Sequence, residues 1–182
     1  MEHESVVGIS ADASGLIATV DYTNKKLTVS NATVTSVTGD ATHANNATDI
    51  TLNNVEFATM NLGAGVTLTG DNNEIPYGTT LTFAQNGQIV LSGSKLTING
   101  ELKQSGITAD KTQIIGTGTI RAIDQAAVEP YVADCISFDD KAGQMIITDA
   151  SQFGDVLPGS TVFLDNSYTG VITGNITLTN VT

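Results

Sequence analysis

The sequence predicts an all-β protein folded as a parallel β-helix, or β-solenoid. Three observations carry that prediction. Thr, Gly and Asn are over-used, while the helix formers Leu, Glu, Lys and Arg are scarce. A short aliphatic-Thr-aliphatic motif recurs along the chain. The large aromatics that fill a thick sandwich core are missing: the chain has no Trp and only 5% aromatic residues. Threonine suits a pleated, half-exposed strand, and Gly and Asn suit tight corners. A narrow core of stacked Val, Ile and Leu needs no bulky ring.

The recurring motif is LTVSN from Leu27, ITLNN from Ile50, LTING from Leu96 and ITLTN from Ile176. Side chains alternate along a strand, so Leu27 and Val29 share one face and Thr28 takes the other. Asn31, Asn54, Gly100 and Asn180 follow where the chain must leave the strand. Asn and Gly tolerate the left-handed backbone that a sharp corner demands, so these four are the expected corner residues. Stacked corner Asn side chains would then bond from turn to turn as a ladder. The interval from Ile50 to Leu96 is twice that from Leu27 to Ile50, which predicts a regular turn of that shorter interval. A period of this size points to a solenoid. A longer likeness, Gly78–Ile98 to Gly159–Leu178, points to a second solenoid segment.

In order along the chain, residues 1–18 are small, acidic and weakly patterned, and are expected to form an arm or anchor. Residues 19–120 hold the densest strand signals. Residues 121–158 change character: RAIDQAAVEPYVADC is the best helix candidate, cut short by Pro130, and Asp149 is a second candidate helix start. This stretch is expected to be an insertion between two solenoid segments. From 159 to 182 the strand pattern resumes and stops inside a motif, so that segment is expected to be truncated or covered by another subunit.

Composition narrows the function. The net charge of −12 argues against a protein that grips a phosphate backbone. Charged residues are only 14% of the chain against 40% hydrophobic, so most of it should fold rather than form an acidic tail. The single cysteine, Cys135, allows no intramolecular disulfide and no all-thiolate zinc site, and is read as a small buried residue. The opening MEHESVVGIS has no basic and apolar signal pattern, and no run is long enough to span a membrane.

Candidate sites are few. Asp139 and Asp140, in SFDDKAG, are the best carboxylate pair, but DDKAG reads as a turn between two strands. Asp71 and Glu74, in GDNNE, are weak calcium candidates in what reads as a solvated loop. His43 lies in a polar excursion with no second metal ligand nearby. Asn31, Asn46 and Asn175 fit the glycosylation pattern and are read as corner residues. The pairs Thr33/Thr35, Thr67/Thr69, Thr80/Thr82 and Thr177/Thr179 suggest an ice-binding face, but their spacing along the chain is irregular.

The stretch IPYGTTLTFAQNGQIVLSGSKLTINGELKQSG resembles the opening coils of pectate-lyase-like right-handed β-helix proteins, above all those of phage tail-spikes and fibres. It shares their proline-glycine lead-in (Pro76, Gly78), first strand (Thr80–Phe83), G-x-I (Gly87–Ile89) and L-x-I-x-G coil (Leu96–Gly100). The resemblance implies trimeric fibres with glycan-binding or glycan-cleaving grooves. The enzymatic members use an Arg or Lys base with acidic calcium ligands, or clustered carboxylates with a His. Here the single Arg, Arg121, falls outside the clearest repeats, and the His residues are His3 and His43.

The expectation is therefore a non-enzymatic structural virion protein, a phage tail-spike or capsid-fibre subunit. It would be a homotrimer, held to other virion proteins through the N-terminal arm and touching a host-surface glycan. No catalytic residue, cofactor, nucleic acid or membrane insertion is expected. The alternative is an extracellular bacterial surface adhesin, or a non-catalytic fragment of a polysaccharide-degrading β-helix protein.

Overall fold

A computed structural model describes residues 7–12, 17–21, 23, 26–39, 49–106, 108–139, 144–147 and 161–164. In order, the strands are β1 (Val7–Asp12), β2 (Ile17–Asp21), β3 (Lys26–Ser30), β4 (Thr33–Gly39), β5 (Asp49–Asn53), β6 (Glu56–Phe57), β7 (Met60–Leu62) and β8 (Gly65–Thr69). They continue as β9 (Asn73–Ile75), β10 (Thr80–Phe83), β11 (Gln88–Ile98), β12 (Glu101–Gln104) and β13 (Ile114–Ala122). A short helix α1 (Gln125–Val128) and a 3₁₀ turn (Glu129–Tyr131) precede β14 (Ser137–Phe138), β15 (Gln144–Ile147) and β16 (Thr161–Leu164).

The strands stack as the parallel β-solenoid that the composition and motif predict, with about four turns. Three parallel stacks make its sides. The first side runs β3, β5, β8, the front half of β11 and the front half of β13. The second runs from the front of β4 through β6, β9, the back halves of β11 and β13, and β14. The third runs from the back of β4 through β7, β10 and β12.

Inside, like residues sit on like. Leu52, Leu68 and Leu91 pair in register on the first side, Ile75 with Ile98 on the second, and Leu62 with Phe83 on the third, each at most 1% exposed. Burying such a side chain stabilises by about 1.5–3 kcal/mol, so these rows hold the stack together.

The corner from first to second side repeats a left-handed residue on four successive turns: Asn31 (φ 54°), Asn54 (φ 53°), Gly70 (φ 81°) and Gly93 (φ 63°). The two Asn are at this corner, whereas Gly100 turns the next one, from second to third side. There a Cβ would come within 2.6 Å of the carbonyl oxygens of Pro76 and Thr79. Asn180 lies outside the described residues.

The corner bonds run from turn to turn through mixed partners. Asn53 Nδ2 donates to Thr69 Oγ1 at 2.9 Å, and Asn54 Oδ1 accepts from the Asn72 amide at 3.1 Å. Asn73 is the central pin. It is 1% exposed in a row of inward aliphatic residues. Its Nδ2 donates to the carbonyls of Thr69, Gly70 and Lys95, and its Oδ1 accepts from the Val55 amide. One side-chain amide thereby ties three consecutive turns and is bonded at both its nitrogen and its oxygen, which offsets the cost of burying it.

The turns are not uniform. Leu27 pairs with Ile50 at the expected step, but the step from Thr51 to its partner Thr67 is markedly shorter, and that from Ile89 to Ile114 slightly longer. Leu96 is not two turns above Ile50: it sits on the second side, against Asn73 and Ile120. The aliphatic-Thr-aliphatic motif marks an inward-outward-inward strand, and more than one side of the solenoid uses it.

Both ends of the described stack are dressed. β2 pairs antiparallel with β3 and β1 antiparallel with β4, so residues from the expected arm cover edges of the first turn. Unpaired strand edges invite unwanted pairing, and this covering removes some of them. On the third side, α1 and the 3₁₀ turn follow β13. Asp124 caps α1 by accepting from the Ala127 amide. Tyr131 then donates its hydroxyl to the Leu102 carbonyl at 3.1 Å and stacks on Phe83 with centroids 6.0 Å apart. Within the expected insertion at 121–158, Arg121 and Ala122 belong to β13, and β14 stacks on β13. β15 and β16 form a separate parallel pair; the candidate helix start at Asp149 and the rest of the 159–182 segment lie outside the described residues.

Candidate surface groove

The outward positions of the second side gather charge. β11 presents Lys95 and Thr97, and β13 presents Thr119 and Arg121 on the adjacent rung, with Lys95 opposite Thr119 and Thr97 opposite Arg121. Rungs lie about 4.8 Å apart and alternate residues about 6.6 Å apart along a strand. The four side chains therefore mark a small parallelogram, cations on one diagonal and hydroxyls on the other. Asp71 and Asn72 border it from the corner loop before β9, and Asp139 from the end of β14. These residues, with Leu96 at the floor, line a groove of about 280 Å³.

Arg121 and Asp139 are joined by a 3.0 Å ion pair, each about one-third exposed. The backbone holds Asp139 there, because its amide donates to the Ile120 carbonyl. Lys95 is exposed, and its ammonium has no ion-pair partner among the described residues.

The groove separates the calcium candidates. Asp71 lies on its border, while Glu74 is a half-buried outward residue of β9 whose Oε1 accepts from Asn99 Nδ2 at 2.7 Å. Among the described residues no group of three or more His, Cys, Asp or Glu could hold a metal ion. Of the carboxylate pair, Asp139 faces the groove and Asp140 lies outside the described residues, as do His3, His43, Asn46 and Asn175.

Cys135 is not buried as expected. It sits exposed in the turn before β14, its thiol donating to the Gly116 carbonyl at 3.4 Å. The Thr pairs do not share a face either: Thr67/Thr69 are on the first side and Thr80/Thr82 on the third. No helix among the described residues is long and apolar enough to cross a membrane.

Sequence reasoning passed over Lys95, Thr97 and Thr119, and placed Arg121 outside the repeats. The available signal was the alternation in SKLTI and GTIRA, which puts two polar residues outward on each strand. Only the register of β11 on β13 brings the four together.

Compared with known proteins, the chain matches no protein-family model, no curated protein and no solved structure. The fold and the groove define a β-solenoid module, and the functional reading rests on their physical chemistry.

Proposed function

We propose that this chain is a structural, non-catalytic subunit of a virion, a phage tail-spike or capsid fibre that attaches to host-surface glycans as a homotrimer. The observation that carries the reading is the parallel stack of inward aliphatic rows. It makes a short, stiff module that displays its outward residues at fixed spacing. Such a module works by multivalency: several weak contacts on one rigid body add through avidity. The net charge of −12 aids solubility and discourages non-specific binding to DNA.

Sedimentation equilibrium combined with a turnover assay on bacterial polysaccharides tests this reading. A stable trimer without turnover is expected. A monomer that cleaves a polysaccharide overturns it.

A further inference from the structure

We infer that Asn86 is a site of self-modification: its side-chain amide is lost to the backbone of Gly87, leaving aspartate and isoaspartate at the corner between the third and first sides. The inference does not rest on the attachment reading.

Asn-Gly occurs twice in the chain, at Asn86–Gly87 and at Asn99–Gly100. The chemistry open to both is the same. The Gly backbone nitrogen attacks the Asn side-chain carbonyl carbon, Cγ. A C–N bond forms, the nitrogen gives up its proton, and Nδ2 leaves as ammonia. Water then opens the cyclic imide at one carbonyl or the other. One opening gives aspartate; the other gives isoaspartate, with the main chain rerouted through Cβ and Cγ. Nothing is oxidised or reduced. Glycine favours the first step because it has no side chain to shield its own nitrogen.

The two surroundings differ. Asn86 is exposed beside an exposed Gln85, in the turn between β10 and β11, and its side chain makes no hydrogen bond among the described residues. The Gly87 amide donates within that turn, to the Ala84 carbonyl at 2.9 Å. Freeing this nitrogen needs only local opening of an exposed turn. Asn99 is 3% exposed, and its Nδ2, the nitrogen that would leave, donates to Glu74 Oε1 at 2.7 Å. The Gly100 amide donates to the Ile75 carbonyl on the neighbouring rung, which also accepts from the Asn99 amide. Freeing that nitrogen means parting two rungs of the stack.

The fold cannot shed this reactivity by replacing the glycine. A Cβ at position 87 would lie 2.1 Å from the Leu62 carbonyl oxygen, the same oxygen that accepts the Ala84 amide from rung to rung. The close approach that requires Gly87 therefore gives Asn86 its least shielded neighbour. Isoaspartate inserts an extra main-chain atom between Ala84 and Ile89, whose amides bond to Leu62 and Gln113 on the rungs either side. That product loosens the corner.

Peptide mapping by mass spectrometry tests this on the full chain, incubated at mildly alkaline pH both folded and in denaturant. Conversion about tenfold or more faster at Asn86 than at Asn99 is expected in the folded chain, and comparable rates in denaturant. Asn86→Gln should abolish the reaction at this position, because the longer side chain closes its ring far more slowly. Amide hydrogen exchange at Ala84 and Ile89 should quicken in the converted chain but not in Asn86→Asp, which carries the new charge without the extra atom.

Equal rates at the two sites in the folded chain overturn the inference. So does an inert Asn86 in the folded chain when the denatured control converts. Unchanged exchange at Ala84 and Ile89 after conversion overturns the loosening of the corner.

Discussion

On the first side of the solenoid, Leu52, Leu68 and Leu91 stack inward while Thr67 and Val90 stack outward, in register with a Thr51 that is itself covered. On the second side, Ile75 and Ile98 stack inward while Glu74, Thr97 and Arg121 stack outward. The insides are interchangeable and the outsides are not. Inward positions face one shared requirement, to fill a narrow dry core with branched aliphatic groups. Outward positions answer mainly to solvent, so they are where differences between sides accumulate. The groove arises on the second side, where Lys95 and Arg121 stand on adjacent rungs with Asp71 and Asp139 at the border.

This comparison sets out where substitutions should matter. The largest effect is expected inside: Leu68→Ala removes a fully buried rung and should cost about 2–5 kcal/mol, whereas Thr67→Ala beside it should change stability by about 0.5 kcal/mol or less. Chemical denaturation of the two variants measures the gap, and similar midpoints would refute the inside–outside division.

Asn73 sharpens the rule by breaking it, as a polar residue in an inward row. Asn73→Ala leaves the buried Val55 amide without its acceptor and removes one donor from the Thr69, Gly70 and Lys95 carbonyls, of which the first two still accept from the Asn54 and Lys95 amides, and should cost about 1–3 kcal/mol. Amide hydrogen exchange should quicken at Val55 first.

The corners separate in a similar way. Gly100→Ala pushes a methyl group against two carbonyl oxygens and should cost about 1–3 kcal/mol by overpacking. Gly78→Ala meets no neighbouring atom and is penalised only for its positive φ of 80°, by about 1–2 kcal/mol. Thermal melts of the pair should rank Gly100→Ala as the more damaging.

The smallest effect belongs to the loop before β13. Hydrogen bonds from the Thr112 and Gln113 side chains hold the Asp110 carboxyl below its ordinary value of 3.8. A carboxyl depressed in the folded state contributes stability above its unfolded pKa, and that contribution disappears as pH falls through the folded one. Asp110→Asn should therefore lower the melting temperature slightly at neutral pH, the deficit closing below about pH 4, so that a small part of the acid limb of the melting curve flattens. An unaltered acid limb would show that these bonds are not maintained in solution.

Much of the fold was legible because its chemistry is local. Alternation in LTVSN and ITLNN identifies strands with one buried face, and Leu27 does lie against Ile50. Asn31 and Asn54 adopt the backbone that their residue type favours at a corner. The third side was read in part: the strand expected at Thr80–Phe83 is β10, whereas the three-residue β7 was passed over. Turn length was misread. Loops of different size return the chain to the same register, and a motif shared between sides does not say which side it is on. Leu96 shows the consequence, being a good copy of Ile50 placed on a different side.

The groove was still less legible. Lys95, Arg121 and Asp139 look unrelated in sequence, because each belongs to a different rung and a full winding of chain separates one from the next. Asp71 was noted for its neighbour Glu74 instead of for Lys95.

By itself, then, the sequence determined that the chain would stack as a solenoid, because residue size, alternation and corner propensity act over a few bonds. Only the tertiary structure decided how long each turn is, which side each strand joins and which charges meet. Those outcomes depend on hydrogen-bond register between rungs, a long-range pairing that no local preference encodes.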